Sequence, residues 1–161
     1  MATSTPQGTS AAGTVEDTGI ERFLAGELAQ QIHFLTARAR GRGSGHANQR
    51  LAPLGIKVRQ YSVLSLAASG LKPSQRELGE FLALDPSQIV ALVDSLEDLG
   101  AVRRETDPRD RRSKIIVATE PGMELFEKAR DILLESEDET LGTLSARERK
   151  QLRGLLLKIA F

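Results

Sequence analysis

Cysteine is absent from this 161-residue chain. That excludes disulfides, thiolate metal sites and cysteine nucleophiles. Histidine is scarce: His33 and His46 are the only two, and they stand at no metal-ligand spacing to one another. Charge of one sign is not in excess either, because lysine plus arginine equals aspartate plus glutamate at 22 each. Global basicity is therefore no argument for a nucleic-acid partner. No apolar run approaches the roughly 20 residues that a membrane span needs, and the N-terminus has no apolar signal region. A cytoplasmic protein without a membrane partner is expected. Enzyme chemistry finds little support. Gly41–Gly45 lacks the lysine and strand of a phosphate loop, and the acidic residues after Thr119 read as a solvated helix face rather than a carboxylate pair in a cleft. No cofactor and no metal site are expected.

Charge is unevenly placed along the chain. From Arg38 to Arg59 every charged residue is basic, whereas Glu120 to Glu139 is mostly acidic. A neutral protein with one basic side can hold DNA there and keep its other face off it. Without further pattern, a mixed solvated surface explains the same charges equally well.

The pattern lies in Ser74–Thr119. Ser74 with Glu77 has the spacing of a capping box, and Leu78, Phe81 and Leu82 follow at helical spacing, with Leu84 closing the run. Asp85-Pro86 restarts the chain as N-cap and first helical residue, and Gln88 repeats the capping-box offset. Ile89, Leu92, Val93, Leu96 and Leu99 form one apolar face, and Gly100 is a stop signal. Ser87, Gln88, Val90, Ala91 and Asp94 fall outside that stripe. Residues 101–106 and 114–118 are β-branched runs around Asp107-Pro108-Arg109-Asp110, and read as a hairpin with a basic tip. Helix, turn, helix and basic hairpin make a winged helix-turn-helix, whose second helix suits a DNA major groove.

The same stretch resembles a known family. Leu78-Gly79, Ser87, Leu92-Val93-Asp94, Leu96-Glu97, Gly100, Asp107-Pro108-Arg109-Asp110-Arg111-Arg112 and Thr119 look like the multiple-antibiotic-resistance regulator (MarR) family of bacterial transcription regulators. The arginine-rich Asp-Pro element is the most specific part. The resemblance implies a homodimer that binds double-stranded, pseudo-palindromic promoter DNA, usually as a repressor that a ligand releases. It places a minor-groove arginine at Arg112, with Asp110 able to orient it by a short ion pair, and Arg109 and Arg111 as further groove or phosphate contacts. On the second helix, Ser87 and Gln88 occupy the first turn. Gln88 can pair with adenine, and Val90 and Ala91 suit a thymine methyl. Many members carry arginine or histidine where this chain has Ala91, which puts guanine readout in doubt. Ser74, Gln75 and Arg76 open the preceding helix, whose free amides suit a phosphate. Arg103 and Arg104 are expected at DNA backbone or as flanks of the strand. Lacking cysteine, the chain cannot use the thiol-based sensing found in part of that family.

The remaining chain supplies the frame. Met1–Gly19 reads as a disordered leader, and residues 20–161 as one mostly α domain with a small hairpin. Within it, 20–54 and 120–161 are expected as dimerisation helices around a DNA-binding lobe at 55–119. Apolar residues from Ile20 to Leu35 follow one helix face. Gly41, Gly43 and Gly45 each cost about 1 kcal/mol in a helix interior, so the residues alone leave open a break or one helix to Leu51. The resemblance implies the long form at a dimer interface. Val58 to Leu66 mark a helix, Thr119 opens another, and Ser145 with Glu148 caps a last one carrying Leu152, Leu155, Leu156 and Ile159. That terminal apolar face needs a partner, and a second copy of the chain is the expected one. The resemblance further implies an effector pocket between the first, second and fifth helices. His33, Arg38, Arg59 and Tyr61 are its polar candidates, and a small anionic aromatic is the class that would suit them. The rival function is a winged-helix protein-interaction module without sequence-specific DNA binding.

Overall fold

The computed structural model describes residues 19–161 apart from Arg109. The leader expected at Met1–Gly19 thus lies outside the described residues except for Gly19. The architecture is mostly helical with one hairpin, as the sequence pattern predicts: α1 (Ile32–Leu51), α2 (Val58–Ala68), α3 (Gln75–Leu82), α4 (Pro86–Asp98), β1 (Val102–Thr106), β2 (Lys114–Ala118), α5 (Glu120–Thr140) and α6 (Ala146–Ala160). Contacts divide the chain after Ala39.

Residues 19–39 correct one expectation. The helical spacing from Ile20 does not make a helix there: short 3-10 turns form at Ile20–Phe23 and Glu27–Gln30. Gly26 and Gln31 take extended dihedrals on either side of the second turn, so α1 starts only at Ile32. Ile20, Phe23, Leu24, Leu28, Ile32 and Leu35 are all exposed. Amphipathic spacing holds a helix only when its face is buried against something. From Ile32, α1 then runs unbroken through Gly41, Gly43 and Gly45. A Cβ at any of these three would meet nothing within 4 Å.

Residues 40–161 build the core. Val63, Leu64 and Ala67 of α2 bury with Leu78 of α3, Ile89, Val93 and Leu96 of α4, and Val102 and Ile116 of the hairpin. A second cluster joins Leu51, Ile56 and Ala129. The caps stand where the sequence puts them. The Ser74 amide donates to Glu77 Oε2 at 2.7 Å and the Ser145 amide to Glu148 Oε2 at 2.8 Å. The Thr119 hydroxyl accepts the Gly122 amide at 3.1 Å and donates to the Gly100 carbonyl at 2.5 Å. Gly122 is required at this junction, because a Cβ there would lie 1.8 Å from the Ala101 carbonyl oxygen. Gly100 ends α4 with φ 68°, the left-handed region that favours glycine. Leu99, expected on the buried face, is the C-cap and stays exposed.

β1 and β2 pair antiparallel with Val102 opposite Ala118 and Thr106 opposite Lys114. The segment before α3 lies along the free edge of β2, where the Ile116 amide donates to the Pro73 carbonyl at 2.8 Å. The acidic face of α5 is more than a solvated surface. Arg50 of α1 pairs with Glu135 and Glu139, each at 2.6 Å. His46 sits between the Ser136 hydroxyl at 2.7 Å and Glu139 at 3.0 Å.

Candidate nucleic-acid interface

The core stripe of α4 fixes which residues remain outside. With Ile89, Val93 and Leu96 inside, Ser87, Val90, Ala91 and Asp94 are exposed. Gln88 is half-buried, and its Oε1 accepts the Asp85 amide at 3.3 Å. Its amide therefore helps cap its own helix, which competes with two-point pairing to a base. On α3, Ser74 is likewise engaged in its capping box. Arg76 is exposed and pairs with Glu80 at 2.9 Å.

Arg104 has a different place from the one its sequence position suggests. From β1 it reaches Glu97 and Asp94 of α4, the latter at 2.6 Å, and its Nε donates to Gln75 Oε1 at 3.0 Å. Its backbone amide also donates to Glu97 at 2.8 Å. One guanidinium thus ties the wing to both helices of the helix-turn-helix. Burial alone works against its charge, but the hydrogen bond with Asp94 and the field of Glu97 outweigh it and hold its pKa above the ordinary value. Gln75 is drawn into this clamp. The available signal was Asp94 and Glu97 at three-residue spacing, which share a helix face; which cation they meet depends on the tertiary register of β1.

The wing tip is held by its backbone. The Asp107 amide donates to the Ser113 carbonyl at 3.0 Å, and the Ser113 amide to the Asp110 carbonyl at 2.9 Å. Asp110 accepts the Arg112 backbone amide at 3.0 Å, so it shapes the turn from which Arg112 projects. Arg111 and Arg112 are exposed. Arg109 lies outside the described residues. Arg103 pairs with its own strand neighbour Glu105 at 2.7 Å.

The four ligand candidates do not share one lining. His33 and Arg38 are exposed on the first part of α1. Tyr61 stacks on Phe126 of α5 at 5.9 Å between centroids. Burial raises its phenol pKa, against the hydrogen bond with Ser65. Arg59 lines a cleft of about 390 Å³ with Arg40 and Gly41 of α1, Lys57 and Gln60 at the start of α2, and Leu92 of α4. Tyr61 is not part of that lining.

This geometry has close counterparts. A transcriptional regulator of the MarR family from Rhodococcus sp. RHA1 is 39% identical, superposes with a TM-score of 0.80, and matches 85% of this chain and 97% of its own. The chain belongs to the MarR family. The family's sequence model matches residues 54–113, the winged helix-turn-helix itself. CouR from Rhodococcus jostii RHA1, solved bound to p-coumaroyl-CoA, is 40% identical, with a TM-score of 0.78 over 85% of this chain and 96% of its own. A putative transcriptional regulatory protein for the hcr operon of Thauera aromatica is 30% identical over 105 residues, 65% of this chain. The match spans 63% of that relative's length. Among the described residues no helix is long and apolar enough to cross a membrane, and no cluster of three His, Asp or Glu could hold a metal.

Proposed function

We propose that this MarR-family chain is a cytoplasmic, homodimeric transcription regulator that binds pseudo-palindromic promoter DNA, represses, and releases it when an anionic aromatic effector binds. The observation that carries the reading is the pairing of an exposed Ser87, Val90 and Ala91 face on α4 with exposed Arg111 and Arg112 on a turn held by its own backbone. An apolar-to-polar helix face reads base edges, and arginine enters the negative potential of a minor groove. Arg104 keeps the two parts in register.

The dimer rests on apolar surface. On α6, Leu155, Leu157 and Ile159 are exposed, as is Phe161 at its C-cap, and in the N-terminal unit so are Ile20, Phe23, Leu24 and Leu28. Apolar rows of this kind call for a partner, and a second copy supplies a self-complementary one. A two-fold dimer sets its recognition helices about 34 Å apart, with half-sites about 10 base pairs apart. The p-coumaroyl-CoA complex of a relative at 40% identity supports an effector that carries an aromatic ring and negative charge.

Fluorescence anisotropy against the chain's own upstream intergenic DNA, with random DNA as control and at two salt concentrations, tests this. Selective binding that weakens steeply with salt is expected. Binding indifferent to both sequence and salt would leave the protein-interaction reading instead. Light scattering behind size exclusion should give a dimer, and a monodisperse monomer would refute the interface.

A further inference from the structure

We propose that the operator half-site is read in the major groove through thymine methyl groups, with Val90 as the specificity-determining residue and no guanine contact from α4. This rests on the DNA-binding reading above and names the class of duplex it requires. Ser87, Val90, Ala91 and Asp94 fall at helical spacing on one face of α4, and all four are exposed. Val90 is 42% exposed, although Ile89 beside it and Val93 one turn on are fully buried. The buried stripe fixes the rotation of the helix, and that rotation holds the valine outward.

The polar readers on this helix are withdrawn one by one. No lysine or arginine occurs between Pro86 and Asp98, and two-point pairing to guanine O6 and N7 needs such a cation. Two-point pairing to adenine needs both ends of an amide, and Gln88 gives its Oε1 to the Asp85 backbone amide at 3.3 Å. Its Nε2 alone can donate to a purine N7, which adenine and guanine share. A carboxylate could accept from the cytosine amino group, but Asp94 Oδ1 is held by Arg104 at 2.6 Å, and Asp98 stands at the far end of the helix. The Ser87 hydroxyl both donates and accepts, so it separates no base pairs. Discrimination is left to Val90, with Ala91 beside it, and the apolar group that a major groove presents is the C5 methyl of thymine. The wing points the same way. Arg111 and Arg112 are exposed, the minor groove distinguishes little beyond A·T from G·C, and narrow A·T tracts concentrate the negative potential that draws arginine. Helix and wing thus converge on half-sites rich in A·T.

The test is fluorescence anisotropy of the full chain with its upstream intergenic duplex in four forms: unmodified, with deoxyuridine for thymidine, with 7-deazaguanine for guanine, and with 7-deazaadenine for adenine. Deoxyuridine removes only the methyl group, and each contacted methyl lost should weaken binding about fourfold, or about fifteenfold with one in each of two half-sites. The two 7-deaza duplexes lack the purine N7 and should bind as the unmodified one does. Val90→Ala should bind the unmodified duplex more weakly and lose most of the deoxyuridine penalty. The position is exposed and alanine favours the helix, so this variant keeps its fold. A penalty as large in Val90→Ala as in the wild type would overturn Val90 as the reader. A greater loss on either 7-deaza duplex than on deoxyuridine would overturn methyl readout in favour of purine contacts. Selective binding of the promoter with no deoxyuridine penalty would overturn the proposal and leave the regulator function standing. Promoter bound no more tightly than random DNA would remove both.

Discussion

Replacing Arg104 with methionine should lower both stability and DNA affinity, and the two losses should have separable origins. The side chain is 24% exposed and Glu97, its main partner, 31%, whereas Asp94 is 53% exposed. Hydrogen bonds to charged groups contribute about 1.5–3 kcal/mol when a partner is left unsatisfied, and the exposed Asp94 pair adds only about 0–1 kcal/mol. Allowing for solvent screening of these half-exposed groups, a loss of about 2 kcal/mol is expected, or roughly 4–8 °C in melting temperature for a domain of this size. The DNA effect comes on top. Without Arg104, the Asp94 carboxylate on the exposed face of α4 faces phosphates unneutralised, worth about 1 kcal/mol at contact distance in water, or a several-fold weaker complex. Asp94→Asn in the same background should recover DNA affinity without recovering the melting temperature. Arg104→Lys should fall between, because a point charge cannot span three acceptors on two helices. Differential scanning calorimetry and anisotropy together read this out. An Arg104→Met protein that melts and binds DNA as the wild type does would refute the clamp.

Three further outcomes are expected. Arg112→Ala should weaken operator binding about tenfold and reduce the salt slope by about one, with melting unchanged; equal affinity by anisotropy would remove the wing from the interface. Gly122→Ala should destabilise by more than about 3 kcal/mol, because its Cβ would overlap the Ala101 carbonyl oxygen and backbone must move to admit it; thermal denaturation decides this. Glu148 accepts from the Ser145 hydroxyl and amide, which hold its carboxyl below the ordinary value of 4.5. With the folded value depressed, the cap's contribution is present above pH 4.5 and fades as pH falls through the folded value. A carbon-detected NMR titration should give a midpoint below 4.5, and a midpoint above it would contradict the cap.

Local chemistry made much of this fold legible. Ser74 and Ser145 cap their helices with the partners their spacing implies, Thr119 opens α5, and Ile89, Val93 and Leu96 are the inner stripe of α4. What stayed hidden depends on who meets whom. Ile20–Gln31 has helical spacing yet breaks into turns, because spacing states a preference and burial enforces it. Arg50 belongs to the same basic run as Arg40, Lys57 and Arg59, but tertiary register sends it to Glu135 and Glu139 and leaves the other three together in a cleft. Gln88 could serve a base edge or its own cap, and the folded chain uses it for the cap. Arg104 read as a DNA-backbone contact or a flank of its strand because nothing local names Glu97 as its partner.

The recognition helix is held by two kinds of contact, and they differ in how readily they yield. Ile89, Val93 and Leu96 are fully buried in the core, and a close-packed stripe of this kind resists being moved without loss of fold. The polar contacts at its margins, Glu97 and Asp94 with Arg104 on one element and Ser95 with Gln60 on another, are half-exposed or exposed and contribute from about 0–1 kcal/mol at Asp94 to no more than about 3 kcal/mol at Glu97. Allosteric coupling in proteins typically amounts to about 1–3 kcal/mol as well. A ligand therefore needs to disturb only one of these marginal ties to move α4 beyond the range that DNA recognition tolerates. The Gln60–Ser95 bond is the tie that lies on a cleft wall. Ser95→Ala should accordingly leave affinity for an anionic aromatic effector near that of the wild type while reducing how far the bound effector weakens operator binding. An undiminished effect of the effector on DNA affinity in that variant would place the coupling elsewhere, with Leu92 as the remaining α4 contact in the cleft.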